Sequence, residues 1–461
     1  MKIQTHKHSP IAFVELLKAC AMKKDIHEGA RLHAHILEHH GLLEKSPHIA
    51  TTLISMYARG GLFLEAEYLF HTMGVRDVVT WTAMIGGFSD HGFIEEALKH
   101  YDEMHFEGIY PNSVTYICVL KACCANKNAI AKGRELHSEL ICIGSERENV
   151  ASNTLLAMYA KCRSWLDARH VLEKLTVKDT VSWTALTVGY VEHCHFHEVL
   201  TCFEEMRLIN AFIDTTLFSC ILKACTSMEG FHLGKVIHNE IISRALELDV
   251  IVGNTLVDFY VKFGSMDDAI KVFGKLSRPN VVSWGALLAG YAQQRQGNDA
   301  FELFKMMLSK GVKPDNAAFS SVTKACASSE LLEHGRWVHE EIIRTGLPSD
   351  VAVGNALIEM YMKCECIEDA RKVFDMMPNQ DVVSWNLMLT AYTESGQDIT
   401  VLELFGTMQC GCMQPNEVTF LVMLKVCGNL GALAQLRLSH DQIVESGLEL
   451  ELVLGNSLID M

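Results

Sequence analysis

Apolar residues recur along this chain at spacings of three and four. In residues 281–315, Trp284, Leu287, Leu288 and Tyr291 fall at i, i+3, i+4 and i+7, which is one face of a helix. Ala300, Leu303, Phe304 and Met307 repeat that spacing and predict a second helix. Gly311 and Pro314 end it, and Asp315 stands where a cap for the next helix belongs. Gly108, Pro111 and Asn112 give the same punctuation earlier in the chain. The period-2 alternation of a strand is absent. The pattern predicts an all-α chain of helical hairpins. One hairpin cannot bury both of its apolar stripes, whereas stacked neighbours can. The expected architecture is therefore an α-solenoid, with first helices in an inner row and second helices in an outer row.

The hairpins repeat. Trp81, Trp183, Trp284 and Trp385 are spaced by 102, 101 and 101 residues, and Asn153, Asn254, Asn355 and Asn456 by 101 each time. Cys20, Cys123, Cys225, Cys326 and Cys427 keep nearly the same period, as do His33, His137, His238, His339 and His440. Each period holds three units, one of 35 residues beginning V-V-S-W, one of 35 to 37 carrying L-K-A-C, and one of 31 carrying N-x-L. The frames are 10–46, 47–77, 78–112, 113–148, 149–179, 180–214, 215–249, 250–280, 281–315, 316–350, 351–381, 382–416 and 417–451. Residues 1–9 form a short N-terminal segment, and 452–461 a partial unit.

Of the 461 residues, 49% are apolar, 21% are charged and 8 are Pro, which excludes a disordered or collagen-like chain. No apolar run approaches the ~18 residues needed to span a bilayer, so no membrane partner is expected. The 16 Cys are scattered, many within apolar helical patterns, and read as buried free thiols of a reduced compartment. None is paired as C-x-x-C, and copies of the recurrent His lie about 101 residues apart, so no metal site is expected. G-x-x-x-x-G-K-[ST], H-E-x-x-H and G-x-S-x-G are all missing. His137-Ser138-Glu139 and His238-Asn239-Glu240 match the H-x-E of zinc deaminases, but no P-C-x-x-C follows either. They read as the recurrent His followed by a solvated Glu. The residues call for no enzyme, no cofactor and no small-molecule substrate.

V-V-S-W (281–284, 382–385), M-Y-A-K-C (158–162), L-K-A-C (120–123, 222–225) and A-R-K-V-F (370–374) closely resemble pentatricopeptide repeats. The alternation of unit lengths is similar to the plant-type subclass with P, L and S motifs, and the resemblance runs from about residue 10 to the end. It implies a right-handed superhelix of stacked hairpins that binds single-stranded RNA at about one base per repeat. In that family the fifth and last residues of a unit choose the base. Carried over, the pairs are Thr51/Asp77, Thr82/Asn112, Asn153/Asp179, Thr184/Asp214, Asn254/Asn280, Asn355/Asp381 and Asn386/Asn416. Asp only accepts hydrogen bonds, and U and G offer a ring N–H; Asn also donates, and A and C offer a ring nitrogen acceptor. In the family, Asn at the fifth position goes with a pyrimidine and Thr with a purine. The reading in chain order is G, A, skip, U, G, skip, C or U, skip, skip, U, C or U. The skips are Ile117/Glu148, Ser219/Asp249, Gly285/Asp315 and Ser320/Asp350. Val79, Val181, Val282 and Val383 resemble the second residues that sandwich bases.

A net charge of -16 opposes binding a polyanion but leaves room for a local basic stripe. Lys18, Lys121, Lys223, Lys324 and Lys425 follow the fifth position of their units by four residues, and Arg59, Lys161, Lys262 and Lys363 by eight. Steps of four keep one helix face, so these nine are candidate phosphate contacts beside the base-choosing residues. Acids such as Glu95, Glu96, Asp267 and Asp268 are expected on the outer helices.

The rival reading is a peptide-binding scaffold of tetratricopeptide type. That repeat is uniformly 34 residues, which the 31-residue units break. Relatives with this unit order direct C-to-U editing of organelle transcripts. The resemblance thus implies a specificity factor for single-stranded organelle RNA, with an editing deaminase or accessory editing proteins acting in trans. Mitochondrion or chloroplast is the implied location, although Met1 to Pro10 is too short for a clear transit peptide. The partial unit suggests an incomplete array whose final residues fray.

Overall fold

The computed structural model describes residues 10–23, 25–38, 46–125, 129–144, 149–175, 177–345, 350–411, 413–447 and 454–456. The readings placed on 1–9, on Glu148 and on most of 452–461 lie outside them. Among the described residues no strand occurs, and helices of 10 to 14 residues follow one another from Pro10–Lys23 to Leu433–Glu445. No helix among the described residues is long and apolar enough to cross a membrane.

Each frame opens on the first residue of a helix: Val78, Thr180, Val281 and Val382 in the 35-residue units, Asn149, Val250 and Val351 in the 31-residue units. Caps explain this sharpness. Asp315 accepts the Ala318 N–H at 2.8 Å, and the preceding helix ends before Gly311, whose φ of +73° is left-handed. Asn112 caps through Thr115 in the same way, after Gly108 at +75°.

The chain forms two compact units, residues 1–228 and 229–461. In the first, Pro10–Lys23, Pro47–Gly60, Val78–Asp90, Ser113–Ala125, Asn149–Lys161, Thr180–Glu192 and Thr215–Ser227 pack each on the next. In the second, Val250–Lys262, Val281–Gln293, Asn316–Ser328, Val351–Lys363, Val382–Glu394 and Glu417–Leu430 do the same. Within each unit the other helices form a second layer, each on its own first helix, apart from Phe231–Ser243, whose first helix belongs to the other unit. Both units are thus α-solenoids.

Small residues bring the first helices together. A Cβ built on Gly87 would lie 2.4 Å from that of Ala58, and one on Gly189 2.5 Å from that of Ala160. The recurrent Trp locks the layers: Trp81, Trp284 and Trp385 stand edge-on to Phe70, Phe273 and Phe374 of the preceding unit at 4.7 to 4.9 Å. The recurrent His is also structural. His33, His137, His238 and His339 bond through Nδ1 to Tyr57, Tyr159, Tyr260 and Tyr361 at 2.7 to 2.9 Å, tying each L-K-A-C unit to the 31-residue unit after it. Cys20, Cys123, Cys225, Cys326 and Cys427 are buried free thiols, and burial pushes those of Cys123, Cys225 and Cys326 up to about 12.

Two sequence expectations need correction. In the second helix of 281–315, Phe301 is buried and Leu303 only half-buried, and Tyr291 of the first helix is half-buried too. That helix packs on the following unit as well as on its own partner, so its buried face is wider than the i, i+3, i+4 stripe. Glu139 is not a solvated acid: it accepts the hydroxyls of Tyr101 and Tyr116 at 2.7 and 2.9 Å.

Candidate nucleic-acid interface

The fifth residue of a unit sits one turn into its first helix, and the last residue is the N-cap of the next. Helix packing sets them side by side across the boundary. In the 149–179 unit, Asp179 Oδ1 accepts the backbone N–H of Ser182 at 2.8 Å, its hydroxyl at 2.6 Å, and Asn153 Nδ2 at 3.4 Å. The Ser182 hydroxyl also reaches Asn153 Oδ1 at 2.7 Å. The same arrangement joins Asn254, Asn280 and Ser283; Asn355, Asp381 and Ser384; and Asn386, Asn416 and Thr419. Where the fifth residue is Thr, hydroxyls make the link: Thr51 meets Thr80 at 3.0 Å and Thr82 meets Thr115 at 2.7 Å, with Asp77 and Asn112 as the caps.

One atom of each last residue is left over. Among the described residues, Oδ2 of Asp77, Asp179 and Asp381, and Nδ2 of Asn112, Asn280 and Asn416, have no hydrogen-bond partner. The first set can only accept and the second only donate. Burial disfavours the charge on Asp77, Asp179 and Asp381, but hydrogen bonds from Thr80, Ser182 and Ser384 outweigh it and hold these carboxyls below the usual range. All three are acceptors at neutral pH.

Thr184/Asp214 is the exception. Asp214 caps Leu217 at 2.9 Å, and the Thr184 hydroxyl returns to the Thr180 carbonyl at 2.7 Å. Here the surroundings are visible as a cleft of 380 Å³ lined by Val181, Thr184 and Asp214, with Lys161 and Glu192 at its edge. It brings together one example each of the residues expected to stack on a base, to choose it and to contact phosphate.

The skipped pairs differ. Asp350 Oδ2, the atom left over elsewhere, is taken by Asn316 Nδ2 at 2.6 Å, while the Ser320 hydroxyl is buried without a partner among the described residues. Ser219 spends its hydroxyl on the Thr215 carbonyl, and Asp249 caps Ile251 and Val252. Gly285 faces open space, with nothing within 4 Å of a Cβ built there, and Asp315 caps Ala318. Ile117 is half-buried.

Val79, Val181, Val282 and Val383 are 49 to 59% exposed at helix starts, where core packing would bury them. The second residues Val114, Val150, Ile251 and Val418 are 48 to 64% exposed as well. The sequence expectation named only the second residues of the V-V-S-W units; comparing second positions across all frames would have picked out the same exposed apolar position in these four. All nine stripe residues, Lys18, Arg59, Lys121, Lys161, Lys223, Lys262, Lys324, Lys363 and Lys425, are exposed on first helices. Two are partly neutralised: Lys262 pairs with Asp258 and Lys363 with Glu359, each at 3.2 Å. Glu95, Glu96, Asp267 and Asp268 lie on second helices as expected, but Asp90, Glu192 and Glu394 are exposed on the first helices of 35-residue units. The basic stripe is therefore interrupted by acids. No cluster of three metal-ligating side chains occurs among the described residues.

Comparison with known proteins supplies the context. Sequence models of the PPR repeat family match residues 76–125 and 279–328, that of the pentatricopeptide repeat domain matches 379–430, and that of the PPR repeat matches 49–78, 181–210, 254–280 and 355–382. Together they span more than half of the sequence. The chain belongs to the pentatricopeptide repeat family. Three family members from Arabidopsis thaliana, each named as a chloroplastic pentatricopeptide repeat-containing protein, are 30, 33 and 31% identical over 97, 95 and 91% of this chain. The matches cover 52, 52 and 67% of those proteins, so the chain spans about half the length of the first two curated relatives. The crystal structure of the maize family member PPR10 aligns over 97% of this chain and 80% of its own, with 17% identity and a TM-score of 0.46. The structure of PPR10 with an 18-nucleotide psaJ RNA element aligns with a TM-score of 0.45 and 17% identity, over 98% of this chain and 82% of that one.

Proposed function

We propose that this chain binds single-stranded RNA in a sequence-selective way, reading about one base per repeat through the fifth and last residues of each unit. The observation that carries this reading is the repeated junction: six times the same hydrogen bonds consume one atom of the last residue and leave its second atom unspent. Where Asp holds the position, a lone acceptor suits the ring N–H of U or G. Where Asn holds it, a lone donor suits the ring nitrogen of C or A. The exposed Val at each helix start offers an apolar face on which a base can lie, and the Lys one or two turns on offers charge for the phosphates. The site reads G, A, skip, U, G, skip, C or U, skip, skip, U, C or U.

The chloroplastic names of relatives support an organellar setting, and the alternating unit lengths support a role as specificity factor in C-to-U editing, with the deaminase supplied in trans. A peptide-binding scaffold has no use for a donor or acceptor set aside at each unit boundary. Presenting the purified chain with pools of single-stranded RNA, duplex RNA and peptides tests the reading. Retention of single-stranded RNA carrying the series above is expected. Retention of peptides, or of RNA without sequence preference, contradicts it.

A further inference from the structure

The third residue of the following unit recurs in every complete junction, and neither partner of the base-choosing pair supplies its atom. Thr80, Thr115, Ser182, Ser283, Ser384 and Thr419 are all at most 1% exposed, and each hydroxyl lies within hydrogen-bond distance of both the fifth residue before it and the intervening cap. We propose that these hydroxyls are positioning residues for base selection: each locks the pair before it into one presentation of donors and acceptors. This rests on the base-reading role proposed above.

A serine hydroxyl has one proton to give, and a buried one must place it. At the 149–179 unit both oxygens in reach, Asn153 Oδ1 and Asp179 Oδ1, are acceptors. The proton cannot serve both oxygens; given to Asn153 Oδ1, it sets the amide with Oδ1 toward the hydroxyl and Nδ2 toward Asp179, which already accepts the Ser182 backbone N–H. One N–H of Nδ2 is then spent on Asp179 and the other remains as a donor, matching the O2 carbonyl that both pyrimidines carry. Turned over, the amide would set its oxygen against the carboxylate. Without the hydroxyl, only the 3.4 Å Asn153–Asp179 contact resists that turn.

The distribution of hydroxyls follows the distribution of readable pairs. Six of the seven pairs assigned a base are followed by Ser or Thr at the third position. The four skipped pairs are followed by Ala151, Val252, Ala318 and Val353, which carry none. The seventh readable pair, Thr184/Asp214, is followed by Leu217, and no side-chain hydrogen bond joins its two members. This site therefore holds its base-choosing groups least firmly.

The test uses the full chain and a set of single-stranded RNAs in which one nucleotide at a time is varied through all four bases. In the unaltered protein the nucleotide facing Thr184/Asp214 is expected to show the weakest preference of the seven. Ser182→Ala keeps the backbone N–H that caps the helix. It should reduce preference at the nucleotide facing Asn153/Asp179 by roughly three- to tenfold, the worth of one net hydrogen bond. The other positions should be unchanged, and Ser182→Thr should keep the preference. Ser384→Ala, acting on Asn355/Asp381, provides an independent copy should Ser182→Ala fold poorly by circular dichroism. An equal loss of affinity for all four bases, undiminished preference in both Ala variants, or a Thr184/Asp214 site as selective as the rest would overturn the positioning role while leaving base reading intact. Absence of base preference at every site of the unaltered protein would overturn base reading itself.

Discussion

At the scale of single residues, the proposed base choice reduces to whether one atom donates or accepts. That much was readable from Asn, Thr and Asp at fixed positions, because a resemblance supplied the positions and the chemistry of the side chains supplied the meaning. The hydroxyl behind each pair was equally visible, as the Ser of V-V-S-W, but no spacing rule connects it to residues 3 and 29 positions earlier; only the folded junction does. Gly285 offers a constructive test. A Cβ there meets nothing, and the helix Val281–Gln293 around it is intact. Gly285→Asn should therefore add a preference for U at a nucleotide proposed to go unread, weaker than that at Asn153/Asp179 because Ala318 supplies no hydroxyl to hold the new Asn opposite Asp315. Removing a mid-helix Gly should also favour the helix by up to about 0.5 kcal/mol, the gap between the propensities of Gly and Asn. Nucleotide-resolved binding and a thermal melt check the two effects separately.

At the scale of elements, helix starts were legible because Asp, Asn, Gly and Pro punctuate them, and cap chemistry is local. Buried faces were legible only in part. Phe301 lies off the simple stripe, and Glu139 is held by hydroxyls from two other helices, which periodicity cannot reveal. Close helix contact gives a packing prediction. Gly87→Ala drives a methyl to 2.4 Å from the Ala58 Cβ and 3.0 Å from its carbonyl carbon, so the helices must part. A loss of about 1–3 kcal/mol is expected in urea unfolding, typical of overpacking. The His–Tyr ties give a pH prediction. Burial holds His33, His238 and His339 below the ordinary imidazole value; at His238 Lys275 adds to this, and Glu247 and Asp268 oppose it. The unfolded chain then binds more protons than the folded one. Their contribution is complete above about pH 6.5 and is lost as pH falls through the depressed folded values. The urea midpoint should drop between pH 7.5 and 5.5, and His238→Gln should make the drop shallower.

At the scale of the whole molecule, the proposed function asks an acidic chain to hold a polyanion. The sequence placed nine basic residues on one helix face, and all nine are exposed on first helices. What it did not foresee is their company: Asp258 and Glu359 engage two of the lysines, and Asp90, Glu192 and Glu394 interrupt the row. Affinity should consequently depend on few phosphate contacts and lean more on base recognition. Replacing Lys121, Lys161 and Lys223 together with Gln should lower the log–log salt slope by about 2, near 0.7 per phosphate, and weaken all RNAs alike. Filter binding over a range of salt concentrations measures it.

The most direct measurement of the central claim is an exchange of code at one unit. Thr82→Asn with Asn112→Asp turns a lone donor into a lone acceptor, while Asp can still cap Thr115 as Asn112 does. Selection of bound RNAs from a random single-stranded pool, run on both proteins, should return A at that nucleotide for the natural chain and U for the double variant. A matched base there should be worth about 1–3 kcal/mol, and every other position should be unchanged. Recovery of A by both proteins, or of no preferred base by either, would contradict reading by these pairs.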